Sequence, residues 1–302
     1  MTERGLCASG AQPFCVHSFA IERENAYYRD MFTEKINNFN LKEICISGQC
    51  FRMHEDDGAF TVIAGDRYLK VSQDGENVTF FCDREEFEGF WKEYFDLDTD
   101  YEAILAAVDP EDSYLMRAAD TACGVRILRQ GLWEMIVTFL ISQQNNIPRI
   151  TKCVENICRA YGRKCRAADG TEYYAFPEPE ALASLEEDAL MACNLGYRSK
   201  YVVRCARKIA GGSFDMEALK TMDYEEAKAY LLTLFGVGEK VANCICLFAL
   251  HHVDAFPIDT HIRQVLDAHY ADGFPFDRYR GFAGIIQQYI FYFELHGDRE
   301  IV

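Results

Sequence analysis

A lysine and an aspartate nineteen residues apart carry the most telling chemistry of this chain. Lys240 stands in "LFGVGEKVANCICLFAL" (234–250) and Asp259 in "FPIDTHIRQVL" (256–266). Lys240 and Cys244 are spaced i, i+4, so a helix places them on one face, with Leu247 and Phe248 nearby. An amine that emerges beside apolar surface is partly desolvated. Desolvation favours the neutral amine, a nucleophile suited to Schiff-base chemistry. Asp259 follows Pro257 and precedes a helical pattern, the position of an N-cap. A carboxylate near the amine would stabilise a developing sugar cation and assist proton transfer. Both residues also have plain readings: a snorkelling lysine in a first turn, and a cap that does nothing more.

These side chains need elements to bring them together. One helix is expected to end near Phe235 and another to start near Glu239, with "GVG" between them. Gly236 and Gly238 supply the φ freedom of a tight turn. Lacking side chains, they also let an anion approach the bare amides that open the second helix. Helix, glycine turn and helix make a helix-hairpin-helix, which holds a nucleic-acid phosphate without a large positive charge. The same "GVG" also suits an ordinary connection between helices. If the lysine helix and the helix after Asp259 pack antiparallel, the starts of both face one cleft.

The surrounding pattern is α+β, with strands early and helices late. "LKEICISG", "CFRMHE", "AFTVIAG", "RYLKVSQ" and "VTFFC" read as strands of an antiparallel meander, broken by turn-forming residues. "REEFEGFWKEYF" and "DLDTDYEAILAAV" read as short helices. Beyond about residue 110 nearly every segment has helical spacing, which predicts an all-α bundle. The expected division is an N-terminal extension of unknown role (1–37), an antiparallel β-sheet domain with short helices (38–115) and a helix-hairpin-helix bundle (116–302).

Composition bounds the setting. No run of the 302 residues approaches a membrane span, and "MTERGLCASGAQPF" lacks the apolar stretch of a secretory signal. Thirteen irregularly spaced cysteines in a chain of this size read as reduced thiols in a cytosolic setting. The net charge of −17 argues against generic nucleic-acid affinity, but the charge is uneven. Residues 1–117 hold 11 Lys and Arg against 24 Asp and Glu, whereas residues 118–302 hold 20 against 24. Residues 149–166 and 198–208 together supply 11 basic side chains, which form either a local basic face or solvated helix faces.

"GVGEKVANCICLFAL…AFPIDTHI" resembles the helix-hairpin-helix DNA glycosylases, and most of all the 8-oxoguanine DNA glycosylases, which are bifunctional glycosylase/lyases. "SGQCFRM" (47–53), "YFDLDTDY" (94–101), "GVRILRQ" (124–130), "FLISQQNNIPRI" (139–150), "LGYRSKYV" (195–202) and "FAGIIQQYIFYF" (282–293) match that family in order. The resemblance implies that Lys240 attacks the sugar C1′ of a flipped nucleotide while Asp259 stabilises the sugar cation. It implies that Cys244 and Phe291 sandwich the base, that Gln287 bonds its Watson–Crick edge, and that Phe248 and Pro257 belong to the same pocket. Gly48 would offer its carbonyl to the N7–H that oxidised guanine has and guanine lacks. Gln144, Asn145, Arg149, Tyr197 and Arg198 would fill the gap in the duplex and read the opposite cytosine. Gly236, Gly238, Val241 and His261 would hold DNA phosphate.

The chain departs from the family at two points. Gln144 stands where asparagine is usual, and Phe235 replaces the usual proline before "GVG". No cysteine follows Cys246, so the four-cysteine iron–sulfur cluster of some related glycosylases is not expected, nor is any other cofactor or metal ligand set. A cation held by hairpin carbonyls is compatible with the sequence, though no side chain demands it. The expected partner is double-stranded DNA with 8-oxoguanine opposite cytosine, bound by a monomer. The expected place is cytoplasmic: nucleoid-associated in a bacterium, nuclear in a eukaryote. Two alternatives stay open: a monofunctional glycosylase using Asp259 and water on another lesion, and a non-catalytic DNA-binding module.

Overall fold

The computed structural model describes residues 31–297, so residues 1–30 of the expected N-terminal extension lie outside the described residues. Five strands form one antiparallel sheet in the order β1–β5–β4–β3–β2: β1 (Phe32–Lys35), β2 (Met53–Asp56), β3 (Ala59–Ala64), β4 (Arg67–Asp74) and β5 (Asn77–Phe80). The turn between β2 and β3 is Asp57–Gly58, both at positive φ (48° and 76°), the twist that a two-residue hairpin requires. Alternate residues Leu69 and Val71 of β4, with Val62, Val78 and Phe80 of its neighbours, are buried on one face. Trp91, from a helix over residues 84–94 that contains one π turn, Phe87–Trp91, and Phe95, the residue that ends it, cover them.

Two strand-half expectations are corrected. "LKEICISG" forms a helix, α1 (Leu41–Ile46), because the Asn40 side chain accepts from the Lys42 and Glu43 amides and Leu41 and Ile44 share a buried face. β1 belongs to the sheet rather than to the extension. Its Phe32 ring lies 5.7 Å from Phe80 and 4.9 Å from Phe87. Four residues reading "FTEK" are too short and too polar to announce a strand.

The helical half begins with α2 (Tyr101–Ala106) and α3 (Ser113–Thr121). Tyr101, Val108 and Tyr114 fall before the expected boundary at 115, yet they pack among the helices; the sheet's own core ends with Phe95 and takes in Leu128. Seven elements of this half frame the site: α4 (Leu132–Ser142), α5 (Ile147–Tyr161), α6 (Ser199–Ala210), α7 (Tyr224–Leu231), α8 (Glu239–Phe248), α9 (Thr260–His269) and α10 (Ala283–His296). A two-stranded hairpin, Lys164–Arg166 with Glu172–Tyr174, interrupts the helices, where the sequence pattern indicated no strand. Among the described residues no helix is long and apolar enough to cross a membrane.

Segment 124–130 is the seam between the halves. Buried Arg126 donates to the carbonyls of Asn37, Asn38 and Asp96, and the Leu128 amide donates to Gln49 Oε1 at 2.8 Å. Arg52, 1% exposed, adds a second tie, reaching Glu155 of α5 and the Tyr174 carbonyl.

Candidate active site

The hairpin is built by α7, a seven-residue turn and α8. The Asp223 side chain caps α7 in a reciprocal box with Glu226, and the helix stops at Leu231, a turn earlier than expected. Gly236 takes φ +91°, and an added Cβ would stand 2.6 Å from the Tyr201 ring, so both backbone and space demand glycine. Gly238 differs. Its φ is −108° and its surroundings are open, so its value lies in the bare surface it leaves and not in conformational freedom. No side chain caps α8, so the amides of Glu239, Lys240 and Val241 have no partner within the helix. The Val241 side chain is buried, which limits that residue's outward offer to its amide. Three turn carbonyls accept from side chains: Thr233 from Lys208 Nζ (2.9 Å), Phe235 from the Cys205 thiol and Gly236 from Gln143 Nε2 (3.1 Å).

Lys240 is half-buried in the first turn of α8, with Nζ 5.4 Å from the ring centroid of Phe139 on α4. It makes no ion pair among the described residues. Cys244, one turn on, is fully buried. Burial pushes its thiol up, the adjacent Lys240 ammonium opposes this, and the Asp259 carboxylate reinforces it. The thiol thus feels the charges of both Lys240 and Asp259. Asp259 caps α9 as expected, its Oδ1 accepting from the Ile262 amide at 2.9 Å while Oδ2 bonds nothing among the described residues. Pro257 is buried just before it. Phe248, at the end of α8, stacks on Phe139 with centroids 5.5 Å apart. Phe139 was not singled out in the sequence. Only its place between Lys240 and Phe248 marks it, since its apolar type in "VTFLIS" is that of any core residue.

A second group gathers around Gly48. At φ +78° its absent Cβ would stand 3.0 Å from the Phe291 ring and 3.2 Å from Ile147. The carbonyls on either side are engaged: Ser47 accepts from Gln288 Nε2 at 2.8 Å and Gln49 from Gln130 Nε2 at 2.9 Å. The Gly48 carbonyl accepts nothing among the described residues. Gln49 itself donates to the Arg126 carbonyl and the Ser47 hydroxyl, so the turn is locked from both ends. Gln287 and Gln288 are both buried on α10, but only Gln287 keeps a buried Oε1 without a partner. An orphaned buried amide oxygen is costly, and a ligand that donates to it would remove the cost. His261, in the first turn of α9, meets Phe291 edge-on at 6.2 Å.

The loop before α5 forms a third group. Gln144 is exposed at φ +48°, and its Oε1 accepts from the Tyr197 hydroxyl at 3.5 Å. The Asn145 side chain turns back to the Ile141 carbonyl, and Arg149 is exposed, with one long contact to the Asn194 carbonyl. Arg198 was expected beside them as a base reader, but it is 4% exposed. Its guanidinium donates to the carbonyls of Gln143, Gln144 and Leu195, which pins the loop from beneath. Five of the eleven basic side chains in the two basic stretches are paired with carboxylates within the chain. Arg204 and Arg207 pair with Glu187, Arg163 with Asp66, and Lys164 and Arg166 with Glu172. Among the described residues no group of His, Cys, Asp and Glu is arranged to hold a metal.

Two family models divide the chain. Residues 31–136 match the 8-oxoguanine DNA glycosylase N-terminal domain, and residues 137–273 match the HhH-GPD superfamily base excision DNA repair protein. The chain is 32% identical over 189 residues to an N-glycosylase/DNA lyase of Saccharomyces cerevisiae, covering 59% of this chain and 50% of the relative. It is 39% identical over 146 residues to N-glycosylase/DNA lyase OGG1 of Arabidopsis thaliana, covering 47% of this chain and 40% of the relative. It thus spans about half the length of these relatives. Solved structures match further. The Clostridium acetobutylicum 8-oxoguanine glycosylase/lyase, in complex with dsDNA containing cytosine opposite 8-oxoG, is 34% identical with a TM-score of 0.82 over 88% of this chain and 95% of that one. MBOgg1, in complex with a low-affinity DNA ligand, gives 34% and 0.83 over the same shares.

Proposed function

The chain belongs to the 8-oxoguanine DNA glycosylase family of the HhH-GPD superfamily, and on that premise we propose that it excises 8-oxoguanine from duplex DNA and then cleaves the strand at the resulting abasic site. The observation that carries this is Lys240 in the first turn of α8, one turn before the buried Cys244 thiol and 5.4 Å from the Phe139 ring that stacks on Phe248, with Asp259 capping the helix that follows. A base must leave the stack before its glycosidic bond can be reached. In the proposed reaction the neutral amine of Lys240 attacks C1′, and a C–N bond forms as the bond to the base breaks. The base leaves with the electron pair and takes up the proton that the attacking nitrogen loses. Asp259, with Oδ2 free, stabilises the positive sugar. Opening of the sugar ring leaves an imine, and loss of a proton from C2′ then expels the 3′ phosphate. None of these steps calls for a cofactor.

Recognition follows from the second group. Gly48 presents a carbonyl between two that are engaged, suited to the N7–H of 8-oxoguanine, and guanine would leave that acceptor facing a lone pair. Gln287 offers its orphaned Oε1 and its amide to the base edge, Phe291 and Cys244 take the two faces, and Phe248 and Pro257 complete the apolar wall. Gln144, Asn145, Arg149 and Tyr197 face the gap in the duplex and the opposite cytosine, with Arg198 acting through the loop it holds. The bare amides after Gly236 and Gly238, with His261, take phosphate. DNA as substrate puts the place of action at the nucleoid or in the nucleus.

Borohydride trapping on a duplex with one 8-oxoguanine opposite cytosine tests the reading. A covalent adduct is expected with the native chain and none with Lys240→Gln or on undamaged DNA. Base release that persists undiminished in Lys240→Gln would overturn the lysine's role.

A further inference from the structure

The proposed DNA face exposes aromatic rings in an unbroken line. Tyr197, 46% exposed, touches Gln144 of the gap-filling loop and meets Tyr201 edge-on at 5.7 Å. Tyr201 meets Phe235 edge-on at 5.4 Å, and Phe235 is 44% exposed. The Tyr201 ring also backs Gly236, so the line runs from the loop before α5 to the turn that opens α8. One side of each terminal ring is held: Arg198 lies 4.5 Å from the Tyr197 centroid and Arg204 lies 4.4 Å from that of Phe235. Arg204 is fixed there by a two-point bond to Glu187 at 2.7 and 2.9 Å, so its charge is largely compensated.

We infer that Phe235, backed by Tyr201 and continued by Tyr197, is a further contact surface for duplex DNA that grips sugars and base edges by apolar contact in place of charge. This rests on the proposed reading for the identity of its partner. Two observations select DNA as the occupant. The strip is continuous with both the uncapped amides and the gap-filling loop, so a duplex held at those two places passes over it. And in a chain of net charge −17, where Arg204 and Arg207 share the Glu187 carboxylate beside this strip, uncharged contacts add affinity for a polyanion that the overall charge opposes. Phe235 is moreover the position at which the chain departs from the proline usual in the family it resembles.

Charge contacts and apolar contacts leave different signatures. Each phosphate neutralised by a cation releases counterions and steepens the fall of affinity with salt, whereas an aromatic contact adds affinity without steepening it. The experiment is fluorescence anisotropy of the native chain, Phe235→Ala, Phe235→Pro and Phe235→Tyr on a short undamaged duplex across a salt series. Phe235→Ala and Phe235→Pro are expected to bind about fivefold more weakly or worse at every salt concentration, with an unchanged slope, and Phe235→Tyr to bind like the native chain. Thermal unfolding of each variant separates lost contact from lost fold; if Phe235→Ala does not fold, Phe235→Pro against Phe235→Tyr decides. Equal binding by the folded variants would overturn the inference, as would a loss that appears only at low salt. Failure of the glycosylase reading looks different: no release of 8-oxoguanine by the native chain, whatever Phe235 does to duplex binding.

Discussion

At the scale of single residues, adjacent identical side chains do different work. Gln287 and Gln288 are indistinguishable in "AGIIQQYI", and both are buried. Gln288 bonds the Ser47 carbonyl and so fixes the turn that presents Gly48, whereas Gln287 keeps an unpartnered oxygen. Their alanine variants are therefore expected to fail in opposite ways. Gln288→Ala should destabilise the fold by about 1–2 kcal/mol in urea unfolding, since it leaves a buried carbonyl unpaired. Gln287→Ala should unfold near the native midpoint yet release 8-oxoguanine at least tenfold more slowly. Reversal of that pattern would assign the base edge to the wrong glutamine. Arg198 teaches the same lesson from the other side: its type promised a base reader, and burial makes it the anchor of a loop.

At the scale of elements, the hairpin separates two glycines that the motif treats alike. Gly236 lies in the left-handed region with the Tyr201 ring against its missing Cβ, and Gly238 lies in extended backbone with open space beside it. Gly236→Ala combines strain with a clash and is expected to cost about 1–3 kcal/mol, read as a lowered urea midpoint. Gly238→Ala should leave that midpoint within about 0.5 kcal/mol of native while weakening duplex binding, because a methyl group intrudes where an anion approaches. A stable Gly236→Ala would mean that Tyr201 yields readily, and the packing described for the turn would be wrong.

At the scale of the whole molecule, the sheet half holds the loop that leads from the lysine helix to Asp259. Asp96, fully buried at φ +52°, accepts from Arg129 and Thr99 at one oxygen and from Tyr101 at the other, with His251 Nε2 3.1 Å away. His251 lies in the loop between α8 and Asp259, and the next turn of that loop is fastened to α10 by the Gly284 amide at the Val253 carbonyl. Burial by itself would raise the Asp96 pKa. The contact with His251, then the bonds from Arg129 and Thr99, outweigh it and bring the value down to about 2. A carboxyl lowered in the folded state stabilises above its unfolded value, near pH 4, and that stability is lost as pH falls through about 2. The contribution is about 2 kcal/mol. Urea unfolding from neutral pH down to about pH 2 should show the native chain and Asp96→Asn converging as acid is added. Parallel pH profiles would remove Asp96 from this role.

Much of this protein was legible before any fold was known, because its chemistry lies in local patterns. The hairpin, the start of α8 at Glu239, the Asp259 cap and the strands from β2 to β5 follow from turn residues, caps and periodicity, which act over a few neighbours. "LKEICI" was misread because apolar residues in a six-residue stretch fit two periods, and Asn40 settled the matter as a cap. β1 was invisible since a polar edge strand gains its identity from β5. Tertiary structure alone decided which glutamine is free, that Arg198 is buried, that five side chains of the basic stretches pair with carboxylates, and that Phe139 lies between Lys240 and Phe248. Those are facts about distance between segments far apart in the chain. Local pattern can state which groups are present, but whether a group is paired, buried or open depends on what the rest of the fold brings against it.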